Sequence, residues 1–114
     1  MLSPDYQCLS RIRDYCTVIA NSLSSVDNSF DLFSNNIDIQ QSIAFSILQI
    51  GELVSRLSAE FRNSTADQIS WPKIRGMRNI VAHNYGSIQL DTLWNTAMKD
   101  IPALKEFCQS QLEP

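Results

Sequence analysis

Glycine and proline are scarce in this chain of 114 residues, at 3 and 4 respectively. Tight hairpins lean on both, so an all-β fold with many turns is excluded and a few long helices are favoured. Long apolar runs are missing too: the longest are broken by Ser, Gln or Glu, and none can span a bilayer. The first residues, Met1-Leu2-Ser3-Pro4-Asp5, lack the basic and apolar regions of a secretory signal. Cysteine is limited to Cys8, Cys16 and Cys108, an odd, widely spaced set with no Cys-x-x-Cys. That set suits neither a disulfide framework nor a zinc site. It fits reduced thiols at core or boundary positions of a cytosolic protein. Histidine occurs once, as His83. No Asp/Glu or His/Cys cluster lies near it in sequence, so neither a metal site nor a cofactor is expected.

What is present describes one ordinary globular domain spanning residues 1–114. Hydrophobic residues make up 44% of the chain and charged residues 18%. At this length roughly two-thirds of the unfolded surface is buried on folding, enough for a real core. The net charge of −3 does not advertise a nucleic-acid binder. Its distribution is more telling. Between residues 62 and 85, Arg62, Lys73, Arg75 and Arg78 stand against Asp67 alone. Such a face either holds a few phosphates, though not a long duplex, or is simply solvated.

Helical periodicity runs through the chain. Tyr6, Leu9, Ile12, Cys16, Ile19 and Leu23 recur at steps of three and four, predicting an amphipathic helix over about residues 4–26. Asp27, Asn28 and Ser29 end it, and Phe30 to Asn36 is read as a connection whose aromatics pack back on the bundle. A second helix is predicted over about 37–60, with Ile43, Ile47, Ile50, Val54 and Leu57 on one stripe, widened by Ala44, Leu48 and Gly51. A stripe that wide implies burial on two sides, against other helices and a second subunit. Gly51 inside it costs about 1 kcal/mol of helix propensity, which close backbone packing would explain. After a polar link from Asn63 to Gln68, Ser70 is a plausible N-cap for a third helix, with Pro72 in its first turn. That helix holds Ile74, Met77, Arg78, Val81 and Ala82 and should stop near His83-Asn84-Tyr85-Gly86. A fourth, over about 89–112, carries Leu90, Leu93, Ala97, Ile101, Leu104 and Cys108, and Pro102 should kink or interrupt it. The expected fold is all-α, an up-and-down four-helix bundle.

The chemistry concentrates in one stretch, Trp71 to Gly86. His83 follows Arg78 by five positions, which on a continuous helix leaves the two side chains roughly 140° apart. They reach a common substrate if the helix unwinds at His83, or if two copies of the site meet across a two-fold axis. The residue types suit cleavage of a phosphodiester. Imidazole titrates near neutrality and can take or give a proton. A guanidinium stays charged and donates in a fork to phosphate oxygens. Asn79 and Asn84 can hydrogen-bond phosphate or sugar, and Lys73 and Arg75 supply further charge for RNA. Alone, the Arg/His pair is a weak signal. A lone His at a helix end is more often a cap or a surface residue than a catalyst, and Tyr85 would ordinarily be a half-buried packing residue. Glu52, beside Gly51, either pairs with a basic residue near the site or points to water.

The segment Arg78-Asn79-Ile80-Val81-Ala82-His83-Asn84-Tyr85 resembles the Arg-x(4–6)-His motif of the HEPN superfamily, in the extended Arg-x-x-x-x-His-x-Tyr form of HepT-like toxins. Trp71-Pro72-Lys73-Ile74, leading to Gly76-Met77-Arg78-Asn79, resembles the family's approach to that motif. Ile50-Gly51-Glu52 is similar to its Gly-Glu element, and Trp94 with Ile101-Pro102-Ala103-Leu104 to its last helix. The first 35 residues match only in helical pattern. The resemblance implies a HEPN-like bundle that dimerises, with Arg78 and His83 as the catalytic pair of a metal-independent endoribonuclease toxin using the 2′-hydroxyl as nucleophile. It further implies RNA as substrate and, as partner, a minimal nucleotidyltransferase antitoxin that silences the toxin by transferring AMP to Tyr85. Bulky anionic phosphate two residues from His83 would block the cleft and repel RNA. Two other readings stay open: a non-catalytic HEPN module that binds nucleotides or accompanies a nucleotidyltransferase, and a purely structural dimerisation bundle.

Overall fold

Ser3, Ser29, Asn36 and Ser58 each use a side-chain oxygen to accept the backbone N–H three residues on, from Tyr6, Leu32, Ile39 and Phe61 at 3.1–3.3 Å. Each of these bonds satisfies an orphan donor at the start of a helix. The computed structural model of the protein describes residues 3–79 and 89–113. Among them the helices are α1 (Pro4–Ser25), α2 (Phe30–Ser34), α3 (Ile37–Arg56), α4 (Ala59–Ser64), α5 (Trp71–Gly76), α6 (Leu90–Asn95) and α7 (Ile101–Leu112), with a π-helical turn at Thr96–Asp100 joining the last two. No strand occurs among the described residues. The all-α bundle expected from periodicity is the fold observed.

The core forms where α1 packs on α3 and α7. Leu9, Ile12, Cys16 and Ile19 of α1, Ile43, Ile47, Ile50 and Val54 of α3, and Leu104 and Cys108 of α7 are fully buried. Each aliphatic side chain so buried contributes roughly 1.5–3 kcal/mol before entropy is counted. Burial pushes the Cys16 and Cys108 thiols up to about 12, Cys108 adding to the effect on Cys16, so both behave as small apolar groups. All three cysteines are free, and Cys8 is half-buried. Tyr6, placed on the apolar face of α1 by its spacing, is instead 36% exposed at the helix's first turns.

Helix α1 ends as Asp27 and Asn28 turn into the left-handed region at φ 55° and 51°. The Asn28 N–H reaches the Leu23 carbonyl and the Asp27 N–H that of Ser24, both at 2.9 Å. This is a Schellman closure made without glycine, by two residue types that tolerate that conformation.

Three expectations need correction. Phe30 to Asn36 is not a plain connection, since α2 occupies Phe30–Ser34 under the Ser29 cap and seats Phe33 fully in the core against Trp94. The second long helix stops at Arg56 rather than near residue 60: Leu57 turns extended, Ser58 caps a new helix, and α4 runs into the segment read as a polar link. The regular third helix ends at Gly76, although Met77 keeps right-handed helical backbone at φ −59° and ψ −29° and Arg78 and Asn79 are helical too, and Ser70 takes the N-cap position without making a side-chain cap bond. The interruption expected from Pro102 is present, one turn upstream. Proline cannot donate to the carbonyl four residues back and its ring crowds that carbonyl. The π turn widens the helix at this point, the Ile101 N–H reaching back five residues to Thr96, and Pro102 then sits in the first turn of α7.

Candidate functional site

Gly51 lies in the middle of α3, a place where glycine weakens a helix. A Cβ built there would stand 3.0 Å from the Cβ of Arg78, with the Arg78 Cγ and Cδ at 3.5 Å. Absence of a side chain at Gly51 is therefore what lets Arg78 lie directly on α3. One residue on, the Glu52 carboxylate meets the Arg78 guanidinium, Nη1 to Oε1 at 3.1 Å. Of the two readings of Glu52, pairing near the site is the one found. The two side chains are 39% and 51% exposed, so the pair adds at most about 1 kcal/mol of stability. Its effect is on direction: stem and head of Arg78 are held by adjacent residues of a long, buried helix.

Arg78 and Asn79 border a groove of about 830 Å³ between α4 and α5. That volume is within the usual range for ligand sites. Arg75 of α5 and Arg62 of α4 line it as well, together with Asn63 and the apolar surfaces of Ile69 and Pro72. No carboxylate is among the residues lining it. Of its three arginines, only Arg78 has an acidic partner within ion-pair distance among the described residues.

The groove floor is stiff. Trp71 lies between Phe61 and Phe107, with ring centroids at 6.1 and 5.5 Å, and its indole Nε1 donates to Thr65 Oγ1 at 2.9 Å. Thr65 Oγ1 in turn donates to the Phe61 carbonyl at 2.8 Å. The start of α4 is tied to α1, because Asp5 accepts from the Ser58 N–H at 2.7 Å and from its hydroxyl at 2.6 Å. Both short helices are thereby fixed relative to the bundle despite their length.

The structure thus gathers Arg78, Asn79, Arg75 and Glu52 at one edge of the bundle. Lys73, expected beside Arg75 as an RNA contact, is turned elsewhere: its ammonium pairs with Asp100 of the π turn at 3.3 Å, and it does not line the groove. His83, Asn84 and Tyr85, and with them the expected Arg78/His83 pair, lie outside the described residues. Sequence reasoning missed Arg62 and Asn63 as groove residues. The charge excess between residues 62 and 85 included Arg62. The signal for its helix was Ser58 followed by Glu60, an N-cap with an acid in the first turn. Among the described residues no group of three or more His, Cys, Asp or Glu side chains is placed to hold a metal ion, and no described helix is long and apolar enough to cross a membrane.

Comparison with known proteins adds a family. A family model described as ribonuclease HepT-like matches residues 6–111. A provisionally assigned RNase of Caldanaerobacter subterraneus subsp. tengcongensis is 29% identical over 105 residues, covering 92% of this chain and 91% of that one. A provisionally assigned ribonuclease HepT of Thermococcus cleftensis is 26% identical over 98 residues, 82% of this chain and 88% of the relative. A longer protein of Methanocaldococcus jannaschii, named as a gamma-glutamylcyclotransferase and provisional RNase, is 34% identical over 80 residues. These are 70% of this chain and 36% of that protein. No solved structure matches significantly.

Proposed function

The chain belongs to the HepT-like ribonuclease family of the HEPN superfamily, and we propose from that premise that it is a metal-independent endoribonuclease, a single domain over residues 1–114, acting as the toxin of a toxin–antitoxin pair in the cytoplasm. The observation that carries the reading is the Arg78 guanidinium, seated on Gly51 and steered by Glu52 at the mouth of a carboxylate-free groove. In the proposed reaction the ribose 2′-oxygen attacks the adjacent phosphorus while the P–O5′ bond breaks, leaving a 2′,3′-cyclic phosphate and a 5′-hydroxyl. Arg78 stabilises the crowded phosphorane charge. His83 takes the 2′-hydroxyl proton or supplies one to the leaving oxygen. Glu52 is a positioning residue for Arg78. Arg75, Asn79 and Asn84 bind phosphate or sugar.

Control is proposed to act on the same place. A minimal nucleotidyltransferase partner transfers AMP from ATP to the Tyr85 hydroxyl, with release of pyrophosphate, and the added anion shuts the groove to RNA. Dimerisation belongs to the same reading, with Val18 on α1 and Phe45 on α3 as exposed apolar side chains available to an interface. Expression of the wild-type chain without its partner should arrest growth and degrade RNA, and His83→Ala should do neither. A harmless wild type that leaves RNA intact would favour the non-catalytic module. After incubation with partner, ATP and Mg²⁺, intact mass should rise by AMP units in wild type and stay unchanged in Tyr85→Phe.

A further inference from the structure

The groove does not end at Arg78. Arg75 of α5 lines it too, as do Arg62 and Asn63 of α4, a helix that carries none of the residues assigned to cleavage. Arg62 Nε is buried and has no hydrogen-bond partner among the described residues. A guanidinium nitrogen removed from water with no acceptor is costly; that nitrogen is closed to a ligand, so an anion would be met by the part of Arg62 that lines the groove. Neither Arg62 nor Arg75 has a carboxylate within ion-pair distance among the described residues. Their charges are therefore unanswered within the described protein, whereas Lys73, outside the groove, is answered by Asp100.

We propose that Arg62, with Asn63, forms a second phosphate subsite, reading the backbone of a single-stranded polynucleotide that runs from Arg78 past Arg75 to α4. This rests on the reading of the chain as an RNA-cleaving enzyme and extends it to how substrate is held. The form of the groove selects the strand type. About 830 Å³ accommodates a few linked nucleotides and not a duplex. Ile69 and Pro72 offer apolar surface for a ribose or a base face between the cationic points. Three arginines lining one groove match a repeating anion better than a single phosphate ester. Trp71 is buried and its Nε1 is committed to Thr65, so it stiffens the floor and is not the stacking platform. Recognition here is of backbone charge and sugar, with no base-edge reader among Arg62, Arg75 and Arg78 required.

The test is equilibrium binding of a short fluorescent single-stranded oligonucleotide, 2′-O-methylated throughout so that it cannot be cut. Arg62→Gln should weaken binding about tenfold at low salt, the worth of one charge-assisted contact, and lower the salt-dependence slope by about 0.7 for the lost phosphate. Arg62→Lys, which keeps the charge and loses the fork, should fall between. Because Arg62 is partly buried, Asn63→Asp serves as a second variant: Asn63 is exposed, so the chain folds, and a carboxylate in the wall should weaken binding at least as much. Arg11→Gln, an exposed α1 position off the groove, is the charge-matched control and should leave affinity near wild type. Equal losses in the Arg62 and Arg11 variants, or unchanged binding in both Arg62→Gln and Asn63→Asp, would overturn the subsite. If wild type cuts unmodified RNA while binding ignores Arg62, only the subsite fails. If RNA survives yet Arg62 governs binding, only the cleavage reading fails.

Discussion

The contact of α1 with α3 and the edge formed by α4 and α5 are made of opposite materials. In the first, two helices of 22 and 20 residues meet through fully buried aliphatic side chains. In the second, two helices of 6 residues each present arginine and asparagine to a groove and are held by a few specific bonds, Asp5 to Ser58 and Trp71 to Thr65. One region holds the stability; the other holds residues proposed for chemistry and adds little stability. Gly51 and Glu52 are the hinge between them, since they sit on the long helix and set the place of Arg78. The lesson is that the cation proposed to act on substrate gains precision from the core without being buried in it.

That contrast can be broken experimentally, and the largest effect should come from the core. Ile47→Ala removes a fully buried side chain of α3 and should cost about 2–5 kcal/mol, lowering the melting temperature by more than about 8 °C. RNA cleavage by the protein that remains folded should be unchanged, measured well below the transition. Gly51→Ala should do the reverse. Its Cβ would press on Arg78 at 3.0 Å, while the gain in helix propensity, about 1 kcal/mol, offsets the crowding. Cleavage is expected to fall about tenfold or more, as misplacement of a reacting group does, with the melting temperature within a few degrees of wild type. Retained activity would show that Gly51 does not govern Arg78.

Glu52→Gln should be milder. The pair is half-exposed, so stability should move by less than about 1 kcal/mol, while turnover drops several-fold and substrate affinity is little changed. A loss confined to affinity would make Glu52 part of the binding surface instead. The smallest effect concerns the thiols. At pH 8 a thiol reagent should label Cys8 in the native protein and reach Cys16 and Cys108 only after unfolding. Because burial raises both thiols from 9.0 to about 12, their contribution to stability is complete below pH 9 and is lost as pH climbs towards 12. A denaturation series across that window checks the sign.

Much of the fold was legible because apolar residues at steps of three and four can only be buried on one face. The spacing of Leu9, Ile12, Cys16 and Ile19, and of Ile43, Ile47, Ile50 and Val54, named the core directly. Short elements were harder. α2 and α4 have too few residues for a period to show, and nothing but a single serine, Ser29 or Ser58, marks where each begins. Pro102 announced an interruption, but not that it takes the form of a π turn over the preceding residues. At the site, Gly51 signalled close packing, but nothing in one dimension said that its neighbour is Arg78. Likewise Lys73 and Arg75 look equivalent in sequence, and their different settings, an ion pair with Asp100 for one and the groove for the other, follow from a two-residue step around α5.

The central claim, that Arg78 is held in place to assist attack by a ribose 2′-oxygen, is tested most directly by the ends it leaves. Purified wild type, with excess chelator and unmodified single-stranded RNA, should yield fragments ending in 2′,3′-cyclic phosphate and beginning with 5′-hydroxyl, and Arg78→Ala should yield none above background. Intact RNA with wild type, or fragments bearing 3′-hydroxyl and 5′-phosphate, would contradict it.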